Sequence, residues 1–151
     1  MKTLNGKIFC LLFLLIFFSI SCNKKIEISD FFGEYEFSNF VAPYDISNKK
    51  RINDLSSSVF SKLILTEDVF SVGIWNEKRP TYEIVYPDKD GSVESSRRTY
   101  TCSFFTDILT ENRTYKEVII VNDFYFVEII NANEIAISSE GGWFVYTKIK
   151  K

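Results

Sequence analysis

The residue best placed for covalent chemistry is Cys22, which ends the segment Ser19-Ile20-Ser21-Cys22. Upstream of it, Lys2 and Lys7 precede an apolar run, Ile8–Ile20. A positively charged start, a short apolar stretch and small residues before a cleavage point are the anatomy of a secretory signal. As a helix this run would cover only about 20 Å, whereas a hydrocarbon core is about 30 Å thick. The segment therefore predicts an export signal and not a transmembrane helix.

Small residues followed directly by a cysteine have the form of a bacterial lipoprotein cleavage site. We expect Cys22 to carry a diacylglycerol thioether with palmitate-type chains. Residues 1–21 are then the signal peptide, residues 22–29 a lipidated tether and residues 30–151 one domain. Several acyl chains anchor a protein stably, since each buried methylene contributes about 0.8 kcal/mol. Asn23 after the cysteine favours the outer membrane over the inner. The alternatives are a signal cut elsewhere, with Cys22 incidental, and a short anchor that is never cut.

Histidine is absent from the whole chain. It is the commonest general acid–base near neutral pH and the commonest metal ligand, so a Ser-His-Asp triad, a Cys-His pair and a histidine zinc site are excluded. Once Cys22 is lipidated, Cys102 has no partner for an intramolecular disulfide. The mature chain keeps 16 basic residues against 20 acidic ones, which argues against nucleic acid as a partner. We expect a protein that is not an enzyme and uses no cofactor or metal.

From Ile28 onward, apolar and polar residues mostly alternate or form short apolar runs, which is the pattern of β-strands. Val59–Leu65 and Val69–Trp75 flank Thr66-Glu67-Asp68, which predicts a hairpin. The polar stretch Ala42–Ser58 predicts a long loop with room for a short helix. The other predicted strands are Gly33–Phe40, Thr81–Tyr86, Arg98–Phe105, Val118–Val121, Phe124–Ile130, Glu134–Ser138 and Trp143–Ile149.

These segments, with almost no helical periodicity, predict an all-β domain of about eight or nine strands. The tight turns Asn122-Asp123, Asn131-Ala132-Asn133 and Glu140-Gly141-Gly142 predict antiparallel neighbours. Closing such a meander removes exposed sheet edges, so we expect a small antiparallel barrel. A β-sandwich is the alternative.

The order of these features resembles that of the bacterial lipocalin-like (calycin) lipoproteins. Phe32-Gly33-Glu34-Tyr35 is similar to their opening Gly-x-Trp strand, with Tyr in place of Trp. Leu63–Asp68 resembles their second-strand hairpin, and Trp143–Ile149 resembles their closing strand. The resemblance is one of layout over most of the mature chain. It implies a barrel with an apolar cavity for a lipid-like ligand, and it implies no catalytic residue.

Aromatic residues on the predicted strands are the candidates for an inward face and for lining such a cavity. An eight-stranded barrel is either filled by its own side chains or holds one small ligand, and large rings favour filling. Both outcomes stay open at the level of sequence. The cavity candidates are Tyr35, Phe37, Phe70, Tyr82, Tyr100, Phe124, Phe126 and Trp143.

Three other groups of residues could do chemistry, and each has a simpler interpretation. Cys102 lies on an apolar strand face, which is typical of a buried, unreactive thiol. Asp88-Lys89-Asp90-Gly91, followed by Glu94, has the oxygen spacing of part of a calcium loop, and a plain turn explains it equally well. Glu34 and Glu36 share a strand face, and paired carboxylates can catalyse glycoside hydrolysis. The simpler interpretation is that they lie on the solvent-exposed face of a half-buried strand.

Two basic clusters, Lys49-Lys50-Arg51 and Arg97-Arg98, are predicted to be solubilising surface charges, with an anionic partner as the alternative. Taken together, the signal and the missing catalytic residues predict a cell-envelope lipoprotein. Its β-barrel domain would bind a small hydrophobic ligand or an envelope partner. The alternative is a surface-exposed interaction or adhesin-type β-sandwich. An enzyme that relies on carboxylates or tyrosines is the weakest hypothesis.

Overall fold

The computed structural model describes residues 26–42, 49–103, 113–139 and 141–149. The predicted signal peptide of residues 1–21, the lipid-attachment residue Cys22 and residues 23–25 of the tether lie outside this described part. Within it, no helix has the length and apolar character that crossing a membrane requires. Ile26 and Ile28, from the end of the predicted tether, pack against the core of the domain.

Eleven strands make up most of the described chain. A 3-10 helix, Ile28–Phe31, precedes them, and one α-helix, α1 (Lys49–Ser58), lies between the first two. The strands are β1 (Gly33–Val41), β2 (Lys62–Leu65), β3 (Val69–Val72), β4 (Trp75–Lys78), β5 (Tyr82–Val85), β6 (Ser92–Glu94), β7 (Thr99–Thr101), β8 (Val118–Val121), β9 (Tyr125–Asn131), β10 (Glu134–Ser139) and β11 (Gly142–Lys148). Nine of them form one antiparallel sheet in the order β4-β3-β2-β1-β11-β10-β9-β8-β5, and β6 pairs with β7 as a separate hairpin.

The large sheet curls into a half-barrel, and side-chain bonds tie its two edge regions together. The short link Arg79–Thr81 joins β4 to β5, although these strands stand at opposite ends of the sheet. Glu77 of β4 accepts from the Asn122 side-chain amide at 3.1 Å and from the Tyr125 hydroxyl at 3.2 Å. The Tyr82 hydroxyl donates to the Thr66 carbonyl at 2.6 Å. The predicted all-β, barrel-like antiparallel meander is confirmed.

The inside of the half-barrel is one hydrophobic cluster with contributions from nearly every strand of the large sheet. Its aromatic rings touch one another: Phe144 lies 4.5 Å from Phe60 and 4.8 Å from Phe40, centroid to centroid. Ring pairs at such distances stabilise a core beyond the area that they bury. The buried members are Phe31, Tyr35, Phe60, Leu63, Leu65, Phe70, Val72, Ile119, Val121, Val127, Ile129, Ile135, Ile137, Phe144 and Tyr146.

The outer face of the sheet is covered too, over β8 to β11. Val93 of the β6–β7 hairpin and Cys102 pack on Val118, Ile120 and Phe126. A second outer cluster holds Ile130, Ala136, Trp143 and Val145. Strands that are buried on both faces have continuous apolar sequences. This explains why the sequence of β8 is Val-Ile-Ile-Val, with all four residues buried.

The short helix for which the sequence left room within Ala42–Ser58 is α1, and its Ile52 is buried. The sheet departs from the sequence prediction in other places. The predicted strand Val69–Trp75 is divided, because Gly73 takes a φ of 62° and turns the chain between β3 and β4. In β1 the register shifts between Phe37 and Asn39, so the inward side chains stop alternating regularly there.

Candidate functional site

The eight predicted cavity aromatics do not share one face. Tyr35 and Phe70 are fully buried inside the half-barrel, and Phe37 and Tyr82 pack against that inner cluster. For the remaining four the inward placement was wrong. Tyr100, Phe126 and Trp143 lie on the outer side of the sheet. Phe124 lies in the β8–β9 turn and is 38% exposed.

In β9 and β11 a one-residue offset explains the errors, because successive strand residues point to opposite faces. Tyr100 belongs instead to the β6–β7 hairpin, which is separate from the large sheet. In β9 the inward residues are Val127 and Ile129, so Phe126 must point outward. In β11 the inward residues are Phe144 and Tyr146, which turns Trp143 outward as well. The prediction failed because both faces of these strands are apolar, and the sequence carries no sign of which face is inside.

Inside the half-barrel, aromatic side chains occupy the space between the strands. Tyr35, Phe70, Phe144 and Tyr146 are all fully buried there. Burial raises the pKa values of the Tyr35 and Tyr146 hydroxyls well above the usual range of tyrosine. The Tyr35 hydroxyl donates to the Phe31 carbonyl at 2.5 Å. The Tyr146 hydroxyl is buried and has no hydrogen-bond partner among the described residues.

On the outer face, Glu128 of β9 lies at the centre of a buried polar network. Its carboxylate accepts from the Ser103 N–H at 2.8 Å, the Ser103 hydroxyl at 2.5 Å and the Trp143 indole N–H at 2.9 Å. Arg113 Nη1 completes an ion pair at 2.6 Å, with the two side chains 5% and 0% exposed. Tyr100 donates its hydroxyl to the same carboxylate. A buried carboxylate with this many donors has its hydrogen-bonding capacity satisfied within the domain.

This network joins three parts of the chain. Tyr100 comes from the β6–β7 hairpin, Ser103 and Arg113 stand at the two ends of the segment 104–112, and Glu128 and Trp143 come from the large sheet. Sequence analysis missed it. The only available signal was a single carboxylate within the apolar strand Phe124–Ile130, which predicts a buried charge in need of a partner.

Cys102 is fully buried beside this network, as its apolar strand face predicted. Burial, reinforced by the negative charge of Glu128, raises the pKa of its thiol to about 12, and the Arg113 charge opposes the shift. A thiol with so high a pKa is neutral near pH 7, so it is a packing residue and a poor nucleophile.

The Asp88–Gly91 segment is a turn. Gly91 donates its N–H to the Asp88 carbonyl at 2.9 Å, and Asp90 accepts from the Ser92 N–H at 3.0 Å and from its hydroxyl at 2.7 Å. These bonds lower the pKa of Asp90. The described residues contain no group of three histidine, cysteine or acidic side chains that could hold a metal ion.

The other predicted charged sites lie on the surface. Glu34 forms an ion pair with Lys62 at 2.5 Å in which both side chains are about half exposed, and Glu36 is exposed. Arg97 and Arg98 are exposed near the turn between β6 and β7. The side chains of Lys49, Lys50 and Arg51 are outside the described part.

A surface groove lies where the edges of the half-barrel approach each other. Its volume is about 430 Å³, and it combines both signs of charge with aromatic rings. The lining residues are Glu77, Arg97, Asn122, Phe124 and Tyr125. Of the cavity candidates predicted from sequence, only Phe124 contributes to this groove, and it does so from outside the half-barrel.

Comparison with known proteins finds no family model, no curated protein and no solved structure that matches this chain. The lipocalin-like resemblance in layout therefore stays a prediction, and the functional argument rests on the geometry of the domain itself.

Proposed function

We propose that this protein is a non-enzymatic lipoprotein of the bacterial cell envelope, anchored through Cys22, whose β domain binds an envelope partner or ligand at its outer surface. The outer membrane is the favoured location, because Asn23 follows the lipidated cysteine. The signal anatomy supports the anchor, and the absence of histidine from the sequence supports a binding role.

The observation that carries the surface-binding part of this proposal is the filled interior. Tyr35, Phe70, Phe144 and Tyr146 are fully buried inside the half-barrel. The Phe144 ring lies 4.5 Å from that of Phe60 and 4.8 Å from that of Phe40, centroid to centroid. Protein cores pack as densely as organic crystals, so a ligand could enter only by displacing such rings. A binding function is therefore better placed on the outside of the domain.

The anchor is tested by growing cells that express the full-length protein with an alkyne analogue of palmitate. The wild type should incorporate the label, and Cys22→Ser should lose it together with membrane association. Cys102→Ser is the matched control, since its thiol is buried in the domain. Label that persists in Cys22→Ser would contradict lipidation at this residue.

A second candidate, a hydrophobic ligand inside the half-barrel, is favoured by one observation. The Tyr146 hydroxyl is buried without a partner among the described residues, and buried polar groups normally have one. Native mass spectrometry of the mature lipoprotein, after exposure to a lipid extract of its host, separates the two candidates. Any lipid retained beyond the anchor should be bound equally by the wild type and by Tyr146→Trp. A retained lipid that is lost in Tyr146→Trp would favour the interior ligand.

A further inference from the structure

The groove between β4 and the β8–β9 turn contains a carboxylate that is fixed in place. Glu77 accepts from the Asn122 side-chain amide at 3.1 Å and from the Tyr125 hydroxyl at 3.2 Å, one bond to each carboxylate oxygen. Asn122 is fixed in turn by Thr81, whose N–H it accepts at 2.8 Å. Each carboxylate oxygen can accept more than one hydrogen bond, so Glu77 keeps acceptor capacity for a ligand.

Aromatic rings border this carboxylate. The Tyr125 ring lies 5.5 Å from Trp75, 5.2 Å from Phe70 and 4.9 Å from Phe124. The faces of such rings attract cations. The Arg98 guanidinium lies 4.9 Å from the centroid of Phe124, so this ring already has a cation beside it.

The groove also presents a cation. Arg97 is exposed and lines it, whereas Arg98 packs over aromatic rings. The nearby Asp123 accepts from the Ser96 N–H at 2.9 Å and from the Ser96 hydroxyl. Within the described part of the chain, neither Glu77 nor Arg97 forms a salt bridge, although both line the same groove. Two separated opposite charges are complementary to a ligand that carries both.

We propose that this groove binds a small zwitterion composed of an ammonium group and a phosphodiester, the chemistry of phosphocholine and phosphoethanolamine. The ammonium lies against Glu77 and the Tyr125 ring, and the phosphate accepts from Arg97. Arginine suits this task, because its planar donors match phosphate oxygens. The groove volume, about 430 Å³, lies within the range of ligand pockets.

This inference deepens the proposed function, since it rests on binding at the outer surface. Its test is independent of the tests of the proposed function. Neither the labelling of Cys22 nor the comparison of lipid retention between the wild type and Tyr146→Trp depends on the groove. A failed titration of the groove would therefore leave those two results unchanged, and loss of labelling would leave the groove intact.

The test is isothermal titration calorimetry on the full-length lipidated protein in dodecyl maltoside, a detergent without charge. Two probes are used: glycerophosphocholine, which has no acyl chains, and dihexanoylphosphatidylcholine below its micelle concentration. Similar binding of both probes supports recognition of the head group alone. Binding of the acylated probe only supports a membrane phospholipid as the source. Binding of neither probe overturns the proposal.

Charge-removing variants locate the site. Glu77→Gln and Arg97→Gln should each weaken binding by about tenfold, because each removes a charge-assisted contact. Glu83→Gln and Lys78→Gln are matched controls, exposed and outside the groove, and should bind like the wild type. Arg97 is exposed, so its variant should fold even if Glu77→Gln does not. Binding that survives both groove variants overturns the proposal.

Discussion

At the scale of single residues, Glu128 is the charged side chain on which the outer face depends. It is fully buried, and its carboxylate accepts hydrogen bonds from Tyr100, Ser103 and Trp143 in addition to the ion pair with Arg113. A buried charge is tolerated only when it is paired and hydrogen-bonded. Glu128 matters for stability mainly because, without it, the buried guanidinium of Arg113 would have no opposite charge beside it. The net attraction within the ion pair itself is the smaller effect.

We predict that Glu128→Ala lowers the free energy of unfolding by about 3–5 kcal/mol, because it leaves the Arg113 guanidinium buried and uncompensated. Glu34→Ala breaks the surface pair with Lys62, whose side chains are 45% and 48% exposed, and should cost less than about 1 kcal/mol. Urea unfolding followed by circular dichroism measures both. A cost for Glu128→Ala as small as that of Glu34→Ala would show that the network does not hold the outer face.

Sequence reasoning predicted one of the two buried chemical groups and missed the other. Cys102 was recognised because its strand neighbours fix the face on which it lies. The Glu128 network was not, because its partners Ser103 and Arg113 are 25 and 15 positions away from Glu128 in the sequence. Local periodicity cannot report which distant segments a strand will meet.

At the scale of elements, turn chemistry predicted the meander better than periodicity predicted its faces. The β8–β9 turn places Asn122 and Asp123 at φ values of 50° and 57°, the left-handed region that these two residue types tolerate best. The hairpin β6–β7 leaves the large sheet and covers its outer side, so β8 and β9 are buried on both faces. In strands that are buried on both faces, polar and apolar residues do not alternate, so the sequence does not indicate which face points into the half-barrel.

At Gly142 strand β11 lies too close to β1 to leave room for a side chain, and this pairing joins the two halves of the meander. An added Cβ would lie 2.5 Å from the Val41 carbonyl oxygen and 2.5 Å from the Phe40 ring. We predict that Gly142→Ala lowers the unfolding free energy by about 1–3 kcal/mol, as overpacking does. The neighbouring Gly141 has a φ of 79° and open space around its Cβ position.

The control for this prediction is Gly141→Asn, because asparagine adopts the left-handed region more readily than other side chains. It should cost less than about 1 kcal/mol. Thermal unfolding of the two variants beside the wild type provides the measurement. If both variants melted like the wild type, the β1–β11 contact would be looser than the structure shows.

At the scale of the whole molecule, the curled sheet explains both the filled interior and the surface groove. The short link Arg79–Thr81 draws β4 towards β5, and Glu77 then meets Asn122 and Tyr125 from the far side of the sheet. The sequence predicted most of the strands and an antiparallel meander, but not β6 or the division between β3 and β4. It could not predict this meeting, because Glu77 and Asn122 are 45 positions apart and belong to opposite ends of the strand order.

The buried hydroxyls and thiol of the domain make its stability sensitive to alkaline pH. Burial raises the pKa of Cys102 from 9.0 to about 12 and that of Tyr82 from 10.0 to about 12, and it raises the pKa values of Tyr35, Tyr100 and Tyr146 as well. The unfolded chain therefore releases these protons at lower pH than the folded one. Their contribution to stability is complete below about pH 9 and disappears as the pH rises through the folded-state values.

We predict a free energy of unfolding that is nearly constant from pH 7 to 9 and falls steadily from pH 9 to 12. Each buried group contributes a slope of up to about 1.4 kcal/mol per pH unit between its unfolded and folded pKa values. Cys102→Ala removes one such fully buried group. Between pH 9 and 12 the unfolding free energy of this variant should therefore fall less steeply than that of the wild type, by up to about 1.4 kcal/mol per pH unit. Urea unfolding at a series of pH values measures both slopes. A wild-type curve as flat above pH 9 as below it would mean that water reaches these side chains in the folded state.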